Sequence, residues 1–109
     1  MPDALIEEAA RRFALLSDPT RLRILSALLA RETMTVTELA ESLGITAPNV
    51  SQHLARLLSA RIVTRQRDGR KLRYSVEDQS LQPLCELVCS SLREQSERLR
   101  PDWTREAAG

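Results

Sequence analysis

The spacing of apolar residues along this chain changes from a helical period to a period of two near Arg61. Before that point, apolar residues recur every three or four positions, which is typical of amphipathic helices. After it, the residue types in "IVTRQRDGRKLRYSV" repeat at every second position, as in a β-strand, on both sides of Asp68-Gly69. This pair favours a two-residue hairpin turn. The helical period then returns. The pattern predicts a mainly helical fold with one small β-hairpin, in the order α-α-α-α-β-β-α.

Helix-capping residues divide the first 60 positions into four helices. Asp18-Pro19 ends the first helix and caps the second, because proline fits the first helical position. A third helix opens at Thr33 or Thr35. The second helix is expected to turn five apolar residues inward: Leu22, Ile24, Leu25, Leu28 and Leu29. The first helix has an apolar face of Leu5, Ala9, Phe13 and Leu16.

The remaining boundaries follow from similar signals. Gly44 ends the third helix, since glycine readily adopts the left-handed conformation, and Thr46 caps the fourth. We expect a long last helix that starts at Asp78, or else at Ser80 or Gln82, and runs to about Leu99 before Pro101.

The length of 109 residues suits one small domain, which we place at residues 1–100, followed by a tail at 101–109 that contains Trp103. No apolar run approaches the ~20 residues of a membrane span, and the start lacks the apolar segment of a signal peptide. We therefore expect no membrane partner and a cytoplasmic location with reduced thiols. Cys85 and Cys89 stand one helical turn apart, a spacing unsuited to a disulfide.

Basic residues are concentrated in one segment of the chain. Residues 46–76 carry seven basic and one acidic side chain, whereas residues 1–45 carry five and seven, and residues 77–109 carry four and seven. Such a basic block between acidic segments favours a surface that faces a polyanion. A solvated basic face without a ligand is the alternative.

The helices on either side of "GIT" form a helix-turn-helix pattern, and the hairpin that follows forms a basic wing. Val50 and Leu54 anchor the second helix of the pair, so its polar face is free for base edges and phosphates in the major groove. Arginines on a projecting hairpin suit phosphates or a minor groove. The predicted DNA-binding residues are Thr46, Pro48, Asn49, Ser51, Gln52, His53, Arg56, Arg65, Arg67, Arg70, Lys71 and Arg73. His53 could instead be a buried helix residue.

Three segments, "SDPTRLRIL", "VSQHLARL" and the wing pattern V-x-R-x-R-x-G-R-x-x-x-Y-x-V, resemble the ArsR/SmtB family of winged-helix repressors over residues 4–99. The resemblance implies a winged helix-turn-helix repressor that pairs as a homodimer through its first and last helices. It also implies an operator of imperfect inverted repeats in double-stranded DNA, released when an inducer binds. A protein-interaction module without DNA binding is the alternative function.

Dimerisation is also expected from the last helix itself. Its apolar stripe is longer than a domain of this size can easily cover, and two-fold pairing would bury it. The stripe consists of Leu81, Leu84, Cys85, Val88, Cys89, Leu92 and Leu99.

Two metal sites that the family resemblance implies lack their ligands in this sequence. The family's Cys-Val-Cys pattern in the third helix is Thr35-Val36-Thr37 here. The family's last-helix site corresponds to Asp78, Ser80, Ser91 and Glu94, where serines replace both histidines. Serine is a poor ligand for zinc or nickel.

Cys85 and Cys89 are the remaining sensor candidates, for a soft metal or metalloid or for oxidation. Against this, buried free cysteine usually behaves as a small apolar residue, and no basic neighbour favours the thiolate. We predict no confident metal or cofactor. We also predict no enzyme activity, because the chain has one histidine and no glycine-rich phosphate loop.

Overall fold

The computed structural model describes residues 1–99 and has the predicted order of elements. The elements are α1 (Asp3–Leu16), α2 (Pro19–Arg31), α3 (Val36–Leu43), α4 (Ala47–Ser59), β1 (Val63–Asp68), β2 (Lys71–Val76) and α5 (Leu81–Leu99). They divide into one compact unit that ends at Asp78 and a second that begins at Gln79. In the described part, no helix combines the length and apolar character of a membrane span. The predictions for Pro101, Trp103 and the tail lie outside the described residues.

Side-chain caps set the starts of three helices. Asp18 accepts a hydrogen bond from the backbone N–H of Arg21 at 3.1 Å, with proline at the first position of α2. Thr35 and Glu38 form a reciprocal capping box at α3, and Thr46 accepts from the N–H of Asn49 at α4. These contacts confirm the predicted caps and choose Thr35 over Thr33.

The core of the first unit consists of aliphatic side chains from α2, α3, α4 and the hairpin, with Tyr74 as its aromatic member. The prediction that Leu22 points inward was wrong, since it is 41% exposed. Leu22 lies two positions before the buried Ile24, a rotation of about 200° around the helix, so the two cannot face the same side. Leu29 is half-buried. The fully buried apolar residues of this unit include Ile24, Leu25, Leu28, Met34, Leu39, Val50, Leu54, Leu57, Ile62 and Val63.

The hairpin turn lies one residue later than predicted. Asp68 pairs with Lys71 in the strand register, so the loop consists of Gly69 and Arg70 instead of Asp68-Gly69. Gly69 has a φ of +64°, and a glycine at the first loop position is the mark of a type II′ turn.

The base of the hairpin is anchored to the α2–α3 connection. Met34 and Tyr74 exchange two backbone hydrogen bonds, of 3.0 and 2.8 Å, and so form an isolated antiparallel bridge beside β2. This extra pairing was not predicted from the sequence. It fixes one side of the hairpin to the body of the first unit.

The link from α4 to β1 is a Schellman motif with arginine at its left-handed position. Arg61 has a φ of +61° and donates its N–H to the carbonyl of Leu58, while Ile62 donates to Leu57. Both Leu57 and Ile62 are fully buried, which supplies the apolar contact usual in this motif. The direction of the hairpin is therefore set directly by the end of α4.

The predicted helix start at Asp78 was wrong. The last helix begins at Leu81, just after Ser80, the second of the predicted starts. Asp78 instead forms an ion pair with Arg12 of α1, which also donates to the carbonyl of Ala60 at 3.2 Å. A carboxylate paired with a guanidinium at this point ties α1 to the end of α4.

The two terminal helices leave much of their apolar surface exposed in the single chain. No residue of α1 is buried, and Leu5, Ile6 and Phe13 are each about half exposed or more. In α5, Leu81 is buried, but Val88 and Leu92 are exposed. Over residues 1–98, where side chains are described, both predicted stripes keep several exposed apolar residues, and only Leu81 is fully buried.

Candidate nucleic-acid interface

Helix α4 separates an apolar side from a polar side. Val50, Leu54 and Leu57 are buried, and their spacing of three and four residues places them on one face. The polar side chains of this helix are exposed, as are Thr46 and Pro48 at its start: Asn49, Ser51, Gln52 and Arg56. The outer face thus presents hydroxyl, amide and guanidinium groups to solvent, which are the groups that contact base edges and phosphates.

The hairpin carries its cations on both faces. Arg65 lies opposite Tyr74 in the strand register, and Arg67 lies opposite Leu72. The two arginines are therefore on the same face of the hairpin as Tyr74 and Leu72. Arg70 and Lys71 stand at the tip. Among residues 1–99, none of these four cations has a carboxylate within ion-pair distance, and all are exposed: Arg65, Arg67, Arg70 and Lys71.

Arg73 differs from the other wing cations, because acidic partners hold it. Its Nε donates to Asp68 at 3.0 Å, and its Nη1 donates to Glu38 at 3.3 Å. Glu38 is also the capping-box residue of α3, and hydrogen bonds from Thr35, with the charges of Arg73 and Arg31, hold the pKa of its carboxyl below the usual value. Arg73 therefore joins the wing to α3, with much of its charge matched locally.

His53 is half-buried and is bound to α2. Its Nδ1 accepts a hydrogen bond of 3.2 Å from Nε of Arg21, and Nη1 of Arg21 donates to the carbonyl of Leu15 at the same distance. Because Nδ1 accepts this bond, Nε2 is the ring nitrogen that can act as a donor. His53 thus lies at the edge of the polar face. It is neither fully exposed nor fully buried.

The two thiols of α5 follow its buried first residue, Leu81, by about one and two helical turns. Cys85 is half-buried and Cys89 is exposed, and both are free thiols. Burial, followed by the charge of the neighbouring Cys89, raises the pKa of the Cys85 thiol, which disfavours the thiolate. Over residues 1–99, no group of three or more His, Cys, Asp or Glu side chains is placed to hold a metal ion. Two thiols alone are fewer than the three or four ligands of a usual protein metal site.

Sequence reasoning did not identify two of the residues at this interface. Glu38 was detectable, because Thr35-x-x-Glu38 is a capping-box signature, but its reach to Arg73 depends on the tertiary fold. Arg21 stands on a helix remote from the recognition helix in sequence. No local pattern could place it beside His53.

Together, a helix-turn-helix with an exposed polar second helix and a basic hairpin define the class of winged helix-turn-helix proteins. The family model "Bacterial regulatory protein, arsR family" matches residues 18–65. The chain belongs to this family of bacterial regulatory proteins.

Three curated relatives are HTH-type regulators or repressors. KmtR of Mycobacterium tuberculosis is 43% identical over 84 residues, which is 77% of this chain and 64% of KmtR. A protein named "Probable mercury resistance operon repressor" from Streptomyces lividans is 47% identical over 72 residues, or 66% of this chain and 57% of the relative. CmtR of Mycobacterium bovis is 44% identical, covering 72% of this chain and 67% of CmtR. The chain thus spans about three fifths of the length of the first two.

Solved structures match nearly the whole chain. Rv0081 of M. tuberculosis has a TM-score of 0.79 at 32% identity, covering 90% of this chain and 99% of that one. The AntR antimony-specific transcriptional repressor also has a TM-score of 0.79, at 31% identity, covering 88% and 86%. The homodimeric winged helix-turn-helix DNA-binding domain of Mb0332 from M. bovis has a TM-score of 0.78 at 29% identity, covering 90% and 93%. These likenesses agree with the element order of the fold.

Proposed function

We propose that this protein is a transcriptional repressor that binds an inverted-repeat operator in double-stranded DNA as a homodimer. One observation carries the proposal: the polar face of α4 is exposed while its apolar face is buried, and a wing with four exposed cations follows directly. In this arrangement residues 47–59 enter the major groove and residues 64–73 follow the phosphate backbone. Such a protein acts where chromosomal DNA lies, so we also propose a cytoplasmic location.

We divide the roles of the candidate residues by their chemistry. Asn49, Ser51 and Gln52 read base edges, since amides and hydroxyls donate and accept hydrogen bonds there. The cations bind phosphates, with Arg73 holding the wing against α3 as well as adding charge. The same roles extend to the remaining members of the predicted set: Thr46, Pro48, His53 and Arg56 beside the major groove, and Arg65, Arg67, Arg70 and Lys71 along the backbone.

Pairing of two copies is part of the proposal. The exposed apolar side chains of α1 and of α5 are those that a soluble domain normally covers, and a second copy offers the same surfaces in return. The homodimeric Mb0332 domain, with the same fold, supports this assembly. Two copies would present two α4 helices to successive turns of the major groove.

The test begins with selection of duplexes from a random pool by the purified protein. We expect the recovered sites to contain two inverted half-sites about one helical turn apart. Anisotropy titrations should then show a loss of affinity of about 10³ or more between 50 and 200 mM salt, as expected for six or more phosphate contacts. No enrichment, or binding that does not depend on salt, would favour the protein-interaction alternative.

Two variants separate the two kinds of contact. Arg67→Ala should weaken binding to operator and unrelated duplexes alike, whereas Gln52→Ala should mainly reduce the preference for the operator. Gln66→Ala, an uncharged neighbour on the opposite face of the wing, serves as the matched control for Arg67→Ala. An equal loss on all sequences for Gln52→Ala would remove Gln52 from the base-reading set.

For Cys85 and Cys89 we propose a packing role at the paired α5 helices. Their position on the apolar stripe, and burial that raises the pKa of the Cys85 thiol, support it. The alternative is a soft-metal, metalloid or redox sensor, and the mercury and antimony in the names of two relatives favour testing it. Four thiols from two copies would then supply the ligands that one copy lacks.

Operator release decides between these roles. We expect As(III), Cd(II), Zn(II) and persulfide to affect the complexes of the wild type and of the Cys85→Ser/Cys89→Ser double variant equally. Release of the wild type alone by any of the four would establish sensing at the thiols, and the identity of the reagent would name its chemistry.

A further inference from the structure

Arg21 lies in a groove beside the recognition helix and has donor capacity that the fold does not use. The groove, on the flank of α4, is lined by Arg21, Gln52, His53, Ala55 and Arg56. Four of these side chains can donate hydrogen bonds: two guanidinium groups, one imidazole and one amide. A concave site of this composition suits an anion with several acceptor oxygens.

The hydrogen bonds of Arg21 leave part of its guanidinium available. Nε donates to Nδ1 of His53 and Nη1 to the carbonyl of Leu15, but Nη2 has no partner among residues 1–99. Neither partner is a carboxylate, so no ion pair within that range balances the positive charge of Arg21. Nε2 of His53 is then the ring nitrogen that can donate a second hydrogen bond.

Arg12 gives a comparison, because its charge is matched by a carboxylate within the described residues. Like Arg21, it donates to the carbonyl of a helix end, that of Ala60, but it is also paired with the carboxylate of Asp78. The acidic residue nearest to Arg21 in sequence, Asp18, is engaged by backbone N–H groups as the cap of α2. This bonding, with smaller effects of the charges of His53 and Arg21, lowers the pKa of its carboxyl, but Asp18 forms no side-chain ion pair with Arg21 among residues 1–99. Arg21 therefore keeps a charge that a ligand can use.

We propose that Arg21, together with His53, forms a phosphate-binding site for the DNA backbone at the edge of the major groove that α4 occupies. The inference rests on the proposed function, because it places a phosphate where α4 would meet the groove wall. A helix of about 10–12 Å diameter nearly fills a major groove about 12 Å wide, so groups on its flank lie near the phosphates. Arg21 thereby adds a DNA contact from α2, outside the helix-turn-helix and the wing.

The first test compares Arg21→Gln with Arg23→Gln in salt-dependent anisotropy titrations, using the selected operator and a scrambled duplex. Arg23 is exposed on the same helix and does not line the groove, so it controls for the change in net charge. We expect Arg21→Gln to weaken binding to both duplexes about tenfold or more. The slope of log affinity against log salt should fall by about 1.8 for a dimer, at about 0.9 per phosphate. Arg23→Gln should remain within about twofold of the wild type.

The outcomes separate this inference from the proposed function. If the wild type binds DNA with a steep salt slope but Arg21→Gln behaves like Arg23→Gln, the phosphate site is wrong and the repressor proposal stands. A loss of affinity with an unchanged slope would mean that Arg21 only positions His53, and would also overturn the phosphate site. If the wild type does not bind DNA, both proposals fail.

A second measurement does not depend on the folding of Arg21→Gln. Duplexes with a neutral methylphosphonate at one position per half-site are scanned with the wild type and with Arg21→Lys, which keeps the charge but loses the forked donor. We expect one position to weaken the wild type strongly and Arg21→Lys less, because the two changes remove the same contact. Equal penalties for both proteins at every position would refute a phosphate bound by Arg21.

Discussion

The recognition helix α4 and the terminal helices α1 and α5 are all amphipathic, but they differ in where their apolar residues are covered. In α4, Val50, Leu54 and Leu57 are at most 1% exposed within one copy. In α1, Phe13 is 58% exposed, and in α5, Leu92 is 45% exposed. Within a single chain, the apolar face of α4 is covered, whereas those of the terminal helices remain partly exposed to solvent. The polar face that we propose for DNA is therefore complete in one protomer, whereas the exposed apolar faces of the terminal helices are those that we propose to pair.

The largest expected effect tests the first half of this comparison. Leu54→Ala should lower the free energy of unfolding by about 2–5 kcal/mol, because it opens a cavity beneath α4. Urea denaturation at a fixed protein concentration measures it. Leu87→Ala, at a position that is 71% exposed, is the control and should change stability by no more than about 0.5 kcal/mol. A cost below about 1 kcal/mol for Leu54→Ala would mean that α4 is not held by this core.

A smaller effect is expected on assembly when the stripe of α5 is trimmed. Leu92→Ala removes three carbons that are about half exposed in one copy, so the paired state should lose roughly 2 kcal/mol over two copies, or about 30-fold in dimer dissociation constant. Sedimentation equilibrium is the measurement. Leu87 is turned about 140° from Leu92 on the helix, so Leu87→Ala should leave dimerisation unchanged. If both variants weaken the dimer equally, the pairing face of α5 is not its apolar stripe.

The smallest expected effect concerns the end of α4. Arg61→Gly should stabilise the protein by about 0.5–1 kcal/mol, since glycine adopts the left-handed conformation that costs a residue with a Cβ about 1–2 kcal/mol. Arg61→Ala keeps the Cβ and should bring no such gain. Thermal unfolding at several protein concentrations measures both variants. The gain should not depend on concentration, in contrast to the effect of Leu92→Ala; a concentration-dependent gain would place Arg61 in the assembly as well.

The sequence was most informative where local chemistry decides the structure. Asp18, Thr35, Gly44 and Thr46 mark helix ends through hydrogen bonds or backbone conformation within a few residues, and each was predicted. The turn was displaced by one residue because Asp68 can either enter a turn or pair in a strand, and only the register decides. The start of the last helix failed for a similar reason, since the ion pair of Asp78 with the distant Arg12 competes with capping.

The candidate site divides in the same way. The composition and order of the polar helix and the basic wing were sufficient to select the twelve residues proposed for DNA. The partners that modify them were not visible, because Arg21 and Glu38 meet His53 and Arg73 across 32 and 35 positions of sequence. Whether a cation is free to meet a phosphate depends on such contacts. Residue type alone could not separate Arg73 from Arg67.

The bridge between Met34 and Tyr74 also has a consequence for the timescale on which the hairpin moves. Amides at the base of the wing, such as that of Tyr74, are bonded to a segment outside the hairpin, whereas Gly69 and Arg70 at the tip are held only by their own turn. Opening the base of the hairpin requires the hydrogen bonds between Tyr74 and Met34 to break, but the tip can fluctuate without breaking them. Hydrogen exchange should therefore become faster from base to tip. In the DNA complex that we propose, the cations at the tip could then adjust to successive phosphates while α4 stays in register.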